Sequence, residues 1–510
     1  MAAVDDQGRD FAPPTTLTLA RCEDEPIHVP GAVQPHGCLF DVHADDLGVR
    51  SVSSNLRSLL GVGAGDVLGK PLGALFDAPT TAWISEQLAA LEPATLTATR
   101  AEAHGRSGTV VVHRYLAHNL VEWLADEEHR FLVPARMDQQ LAAGLAAARL
   151  AGDIPAVLQA VAEGVQAATG YDRVMVYRFH PDWHGEILAE KTEPGLPAYR
   201  GLHYPASDIP AQARRLYVET RVRAIADVYA RDATLMDAPD EGGAPLDLSH
   251  AVLRSVSPVH IQYLRNMGSG ATLVTSLLVG GRLWGLIACH HRTRYPVPWY
   301  AFERMRRFTD DAAAVITERV EADRLAREQA QTAGREQLLA TLAASPLEGL
   351  RQLMDLVAAE GVIAYAGGRA LTLGHIPDGA LQLPQIVLGQ QDDLAITDAL
   401  RERFSAVSCD AGCAGLAWTV LSRPHQAVVI FVRPEFERTV TWGGNPDKAV
   451  VLDPVKRRLN PRGSFDLWKQ TVRGRSRPWE SDTNSLLALF ASRVDAAAWV
   501  TWLESSGTPV

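Results

Sequence analysis

Phe302, Met305, Phe308, Ala312, Val315, Ile316, Val320 and Leu325 recur three or four positions apart, and charged residues fill most of the gaps through Glu336. That period predicts one amphipathic helix. A helix of about forty residues runs on the order of 60 Å at 1.5 Å per residue, far more than a connector needs. It has to join separate bodies, and its length suits signal transmission or dimerisation. The alternative, a solvated linker with no partner, leaves the apolar stripe uncovered. A chain of 510 residues is also too long for one core, which points to roughly three domains of about 150 residues each.

The flanking patterns agree. From Gly37 to about Leu132, short strands, a helical stretch over Ser54 to Leu60 and an alternating segment over Thr109 to Tyr115 predict a small α+β domain. A helical stretch from about Met137 to Thr169 leads into a second domain, where Val174 to Phe179 and Glu186 to Glu190 read as strands. Thr272 to Val279 and Leu283 to His290 flank Gly280-Gly281, a pair able to supply the positive φ values of a two-residue hairpin turn. Gly361 to Ala366 and Ala370 to Leu373 flank Gly367-Gly368 in the same way, so residues 346 to 510 read as a distant structural cousin of the second domain. A further helix is expected over Ser481 to Ser505.

Charge and cysteine content narrow the function classes. A net charge of −11 and a pI near 5.8 argue against a nucleic-acid or anionic-membrane surface. Met1 to Asp10 is polar and acidic, and no apolar run approaches a membrane span, so a cytoplasmic protein is expected. Five cysteines, Cys22, Cys38, Cys289, Cys409 and Cys413, form no disulfide framework. Nothing near Cys409 and Cys413 completes a four-ligand zinc set, and no metal site is expected.

The chemistry gathers in the middle domain. In Tyr204-Pro205-Ala206-Ser207-Asp208-Ile209-Pro210, prolines at both ends fix φ and stiffen the backbone around a lone carboxylate. Such a loop is either an ordinary surface turn or one wall of a cofactor cradle. Arg223 and Arg254 offer planar forks to carboxylates, and Ser257, His260 and Thr272 add further polar groups. Tyr177, Tyr204, Tyr217 and Tyr263 supply flat apolar faces with one polar tip each, and His290 closes the strand after the Gly-Gly turn. Singly, each has a structural explanation: a surface ion pair, a satisfied core histidine, core filler. Together they suit an anionic, conjugated, nitrogen-rich ligand.

Three runs in this region, YPASDIPAQARRLY at 204–217, LRSVSPVHIQYLRNMG at 253–268 and LWGLIACHH at 283–291, resemble the chromophore-binding domain of bacterial phytochromes. CEDEPIHVPGAVQPHG at 22–37 is similar to that family's attachment segment, and WGG at 442–444 with PRGSF at 461–465 is similar to its tongue. The resemblance implies an α+β, three-domain PAS-GAF-PHY architecture with antiparallel sheets, a long connecting helix and an N-terminal knot. It places the attachment segment at 1–36, PAS at 37–135, GAF at 136–320 and PHY at 321–510, with the tongue at 442–479.

Position by position, it implies that Cys22 forms a thioether to ring A of biliverdin IXα. Val259, not cysteine, precedes His260, which speaks against the alternative GAF attachment. The backbone carbonyl of Asp208 and His260 would meet the pyrrole nitrogens, in a loop that also brings Ser207, Ile209 and Pro210 to the cofactor. Arg223 and Arg254 would hold the ring B propionate, and Ser257, His260 and Thr272 the ring C propionate. Val274 stands where relatives often have serine, so propionate bonding is thinner. Tyr177, Tyr204 and Tyr263 would surround ring D, with Tyr217 also in the pocket and His290 bonded to the ring D carbonyl. Arg462 would pair with Asp208 in one light state and Ser464 replace it in the other.

The implied protein is a red/far-red photoreceptor and not itself an enzyme. It would be a homodimer through its long helices and would signal to an output module absent from this chain, whose partner is a response regulator or similar protein. Leu202, where far-red-resting relatives often carry glutamine, favours a red-absorbing resting state. A sensor of cyclic nucleotides or other small molecules would also use arginines and aromatics, but leaves Cys22 and PRGSF without a role.

Overall fold

The computed structural model describes residues 24–127, 132–239, 245–404, 413–446, 450–453, 458–461 and 467–509. Cys22, Cys409, Arg462 and Ser464 lie outside the described residues. The chain divides into two compact units, Met1–Val320 with Thr441–Trp468, and Glu321–Val440 with Lys469–Val510.

The first unit holds two large sheets. In one, seven strands run in the order Ala32–Val33, Ala233–Asp237, Val49–Ser53, Gly37–Val42, His118–Ala125, Arg106–Tyr115, Leu96–Ala103. The second strand comes from nearly two hundred residues downstream and inserts between two N-terminal ones, pairing Val33 with Ala233 and Leu235 with Ser53. In the other sheet, Val222–Ile225, Ala271–Val279, Arg282–His291, Arg173–Phe179, Gly185–Thr192 and His203–Tyr204 follow one another, each pair antiparallel. The Gly-Gly turn forms as its sequence predicts, with φ of +58° at Gly280 and +76° at Gly281. One pairing departs from the expected antiparallel pattern: Trp442 joins His203 in parallel.

Two buried polar side chains tie these layers together. Glu122, on the His118–Ala125 strand, accepts hydrogen bonds from the backbone N–H of Val252 (3.0 Å) and of Leu253 (2.7 Å). The Gln34 amide donates to Ala224 O at 3.0 Å and accepts from the Ala226 N–H at 3.0 Å. Buried amides and carboxylates persist only when satisfied in this way; Glu122 fixes the segment that carries Arg254, and Gln34 the strand that carries Arg223.

The helical stretch expected from Met137 to Thr169 is two helices, Pro134–Leu150 and Ile154–Thr169. Asp153 breaks it by accepting from the Ala156 N–H at 2.8 Å, with Pro155 in the first turn. The two helices touch at Gly144 and Gly164, where a Cβ on either would sit 2.7 Å from the other's Cα.

The long helix spans Trp299–Ala344. Phe302, Met305, Phe308, Ala312 and Ile316 are buried in the first unit's core with Leu273, Leu277 and Ile287 of the second sheet, so the chain's own sheet covers that part of the stripe. Residues 321–330 are exposed, and Leu338 enters the core of the second unit.

The second unit is built on the sheet Leu394–Thr397, Gly415–Ser422, Ala427–Arg433, Gly361–Ala366, Arg369–Gly374, Thr508–Pro509. The helix expected over Ser481 to Ser505 is again a pair, Thr483–Arg493 and Ala496–Ser506, bent by 90°. Asp495 caps the second of them through the Ala497 N–H at 2.9 Å. Among the described residues no single helix is long and apolar enough to cross a membrane.

Candidate functional site

Between the second sheet, the helix Ala211–Glu219 and the helix Pro258–Asn266 lies a cleft in two contiguous compartments, of about 1130 and 690 Å³ counted to their open mouths. Asp208, Tyr217, His260, Tyr263, Thr272 and Val274 line both, so the two form one elongated site. Ser207, Pro210, Arg223, Arg254 and Ser257 line the first, while Tyr177, Tyr204 and His290 line the second. Ile209 is common to both. Every described candidate from the sequence therefore reaches the same cleft.

The proline-bracketed loop takes the φ values that its composition predicts. Pro205 and Pro210 hold φ at −66° and −68°, and the Asp208 N–H donates to Pro205 O at 3.0 Å. The Arg214 guanidinium latches it from the following helix, donating to Ile209 O at 2.6 Å. The Tyr263 hydroxyl donates to Asp208 Oδ2 at 3.1 Å, so the carboxylate is engaged from the opposite wall.

The first compartment brings two buried arginines together. Arg223 donates to four backbone carbonyls, among them Val252 O at 3.1 Å and Ala251 O at 3.2 Å. Arg254 donates to Ile27 O at 3.2 Å, and its Nε is buried without a hydrogen-bond partner among the described residues. Neither makes an ion pair there. Burial first, and the charge of Arg254 second, push the Arg223 guanidinium well below its usual range, and burial pushes Arg254 down to about 10. Asp232 and Glu122 act on Arg223, and Asp247 and Glu219 on Arg254, only at a distance, so two desolvated guanidiniums are left with forks that suit an anion with more than one acidic group.

The second compartment is aromatic and neutral. Burial lowers His260 to about 4 and His290 to about 3, with Arg223 adding to the first effect and Arg173 and His260 to the second. Both are therefore neutral at pH 7. Ser269 Oγ lies 2.9 Å from His290 Nδ1, which leaves Nε2 for a ligand. Cross-strand pairing sets Thr272 beside His290. The Tyr177 ring packs over Gly185 so closely that a Cβ there would lie 1.7 Å from its Cζ. Gly443 plays the same part for Tyr204, where a Cβ would lie 2.8 Å from the ring, so this glycine of the WGG run is a close-approach position.

Several lining residues escaped the sequence reading, although their periodicity carried the signal. Met175 precedes Tyr177 by two positions, and Leu286 and Ala288 precede His290 at the same step, as one face of a strand requires. His260, Tyr263, Leu264 and Met267 recur at helical spacing on one face of Pro258–Asn266 and its cap. Glu25 also lines the first compartment and accepts from Ser257 Oγ at 2.6 Å; burial raises its carboxyl, against that bond. A second group, His180, His184 and His203, comes together outside the cleft, where no metal ligand was expected.

Comparison with known proteins matches three family models in order: PAS fold over 22–123, GAF domain over 153–320 and Phytochrome region over 322–494. A bacteriophytochrome of Pseudomonas aeruginosa is 35% identical over 491 residues, 93% of this chain and 66% of that protein. One from Xanthomonas campestris is 36% identical, over 91% of this chain and 76% of the relative. The chain thus spans about two thirds to three quarters of the length of these relatives. Among solved structures, the wild-type phytochrome photosensory core module of Stigmatella aurantiaca matches with a TM-score of 0.74 and 31% identity, covering 93% of this chain and 98% of that one. A bacteriophytochrome of R. palustris matches with a TM-score of 0.75 and 31% identity, over 95% and 99%. The chain belongs to the phytochrome family. Its PAS, GAF and PHY segments together make up a phytochrome photosensory core module.

Proposed function

We propose that this chain is a red/far-red photoreceptor that binds biliverdin IXα covalently at Cys22. The observation that carries the reading is the pair of buried arginines, neither in a direct ion pair among the described residues, at one end of a cleft whose other end is aromatic and holds a neutral histidine. A linear tetrapyrrole supplies visible absorption and a C/D methine bridge that isomerises; the protein's part is to grip, orient and exclude water.

Arg223 and Arg254 neutralise the ring B propionate, and Ser257, His260 and Thr272 face that of ring C. The Asp208 carbonyl and the neutral His260 accept from pyrrole N–H groups. Where Ser269 donates to Nδ1, His290 carries its proton on Nε2 and donates to the ring D carbonyl. Tyr177, Tyr204 and Tyr263 bound the volume in which ring D turns. Glu25, three residues from Cys22, lines the first compartment, which supports attachment there. Attachment at Cys22 would rely on proximity, since its acidic sequence neighbours Glu23, Asp24 and Glu25 disfavour the thiolate.

We infer further that the N-terminal segment forms a knot with the GAF domain and that Arg462 and Ser464 exchange as partners of Asp208. The long helix carries the change onward, and a homodimer forms along its exposed stretch, where Leu325 is 46% exposed. The resting state absorbs red light. The test is to add biliverdin to the bilin-free chain and record spectra in the dark, after red light and after far-red light. Reversible interconversion from a red-absorbing dark form is expected; a colourless protein, or colour without photoreversal, overturns the reading. In Cys22→Ser the pigment is expected to bind but to separate from the denatured chain.

A further inference from the structure

Three histidines meet on the far side of Tyr204 from the cleft. His180 and His184 bracket the turn between the strands Arg173–Phe179 and Gly185–Thr192, closed by the His180 N–H to His184 O bond at 2.9 Å. His203 lies opposite Glu186 in the neighbouring strand pair. The His180 and His184 rings stack at 4.2 Å and 6°, with His203 5.9 and 5.3 Å from them. One ring nitrogen of each lies within 4.8 Å of the others. Three imidazoles on a divalent ion at about 2.0–2.1 Å are roughly 3.3 Å apart in tetrahedral geometry, so closing the set takes side-chain rotations that draw the nitrogens together and turn the His180 and His184 rings out of their parallel stack.

The surrounding carboxylates are arranged as a metal site requires. Glu186 Oε2 lies 3.0 Å from His180 Nε2, and Asp182 Oδ1 lies 2.5 Å from His184 Nδ1. Each thereby fixes a tautomer and leaves the opposite ring nitrogen, Nδ1 of His180 and Nε2 of His184, as a lone-pair donor. Glu186 Oε1 is also 4.0 Å from His203 Nε2. The side chains of His180 and His184 are 23% exposed and that of His203 9%, which gives an ion a route in while keeping the base of the site dry.

We propose that His180, His184 and His203 bind a borderline divalent cation of the zinc type. Neutral nitrogen donors exclude magnesium and calcium, which take oxygen, and three ligands leave the fourth position to water. The Trp442 ring lies 5.9 Å from His184 and 5.8 Å from His203, on the strand that pairs with His203. Metal occupancy therefore stiffens the seat on which the Trp442 strand rests.

The test is calorimetric titration of the full chain with zinc chloride, with cobalt(II) spectra of the bilin-free protein as a second probe. One zinc per chain and tetrahedral cobalt bands are expected. His184→Ala, in an exposed turn, is expected to weaken binding at least about a hundredfold, and Asp182→Ala about tenfold. The Cys409→Ser/Cys413→Ser variant is expected to bind as the parent does. Zinc is also expected to slow amide exchange over residues 438–443 in the parent but not in His184→Ala. Absence of saturable zinc binding, or an affinity in His184→Ala equal to that of the parent, overturns the site. Unchanged exchange over 438–443 in the zinc-loaded parent overturns its coupling to the strand.

Discussion

Arg254 shows how a residue chosen for a ligand burdens the protein without it. Its side chain is buried, its Nε lacks a partner among the described residues, and its charge opposes that of Arg223. A buried charge with no ion-pair partner carries a desolvation cost on the order of several kcal/mol that an apolar side chain of similar volume does not. Arg254→Met in the bilin-free chain is therefore expected to resist denaturant as well as the parent or better. The same change is expected to weaken biliverdin binding at least about thirtyfold, because a buried propionate then loses its counter-charge. Titration and chemical unfolding check the two signs together, and a variant weaker in both respects would place Arg254 in the structural frame. Gly185 makes the complementary case. A methyl group there collides with Tyr177, so Gly185→Ala is expected to cost about 1–3 kcal/mol by overpacking and to shift the bound-pigment spectrum; an unchanged spectrum would remove Tyr177 from the ring D wall.

At the scale of elements, the strands and Gly-Gly turns were legible because alternation and positive φ are local properties. The break at Asp153 was not, since apolar spacing continues through it; yet Asp153-Ile154-Pro155 is a helix-start signal within the sequence. Asp153→Ala is expected to cost about 1 kcal/mol of stability, seen as a lower denaturation midpoint with unchanged slope. An unchanged midpoint would mean that packing at Gly144 and Gly164 alone holds the break. The candidate residues of the cleft were visible through family motifs, whereas its floor, Met175, Leu286 and Ala288, is ordinary strand sequence that acquires meaning only from the face it occupies. The histidine cluster was hidden for another reason. His203 joins His180 and His184 only through strand register, which no local pattern encodes. Gly443 was likewise unreadable, because its need for hydrogen in place of Cβ comes from Tyr204, far away in sequence.

For the first unit as a whole, buried titratable groups set opposing slopes of stability with pH. Burial lowers His36 to about 4 and His113 to about 3 from an ordinary 6.5, so the unfolded chain binds their protons more tightly and stability falls as pH drops below 6.5. Glu122 acts the other way. Burial raises its carboxyl from 4.5 to about 7, against the bonds from Leu253 and Val252, so the folded state holds the proton more tightly. Its contribution is complete below about 4.5 and is lost as pH rises through about 7, a change of up to about 3 kcal/mol. Glu122→Gln keeps one acceptor for two backbone N–H groups, a fixed cost of about 1–2 kcal/mol, but removes the titration. The variant is thus expected to be less stable than the parent at pH 5 and equal or superior at pH 8. Denaturant unfolding at both values measures the gap. A gap of constant size would mean that Glu122 is ionised throughout, and that the joint between the seven-stranded sheet and the segment bearing Arg254 rests on a carboxylate rather than on a neutral carboxyl.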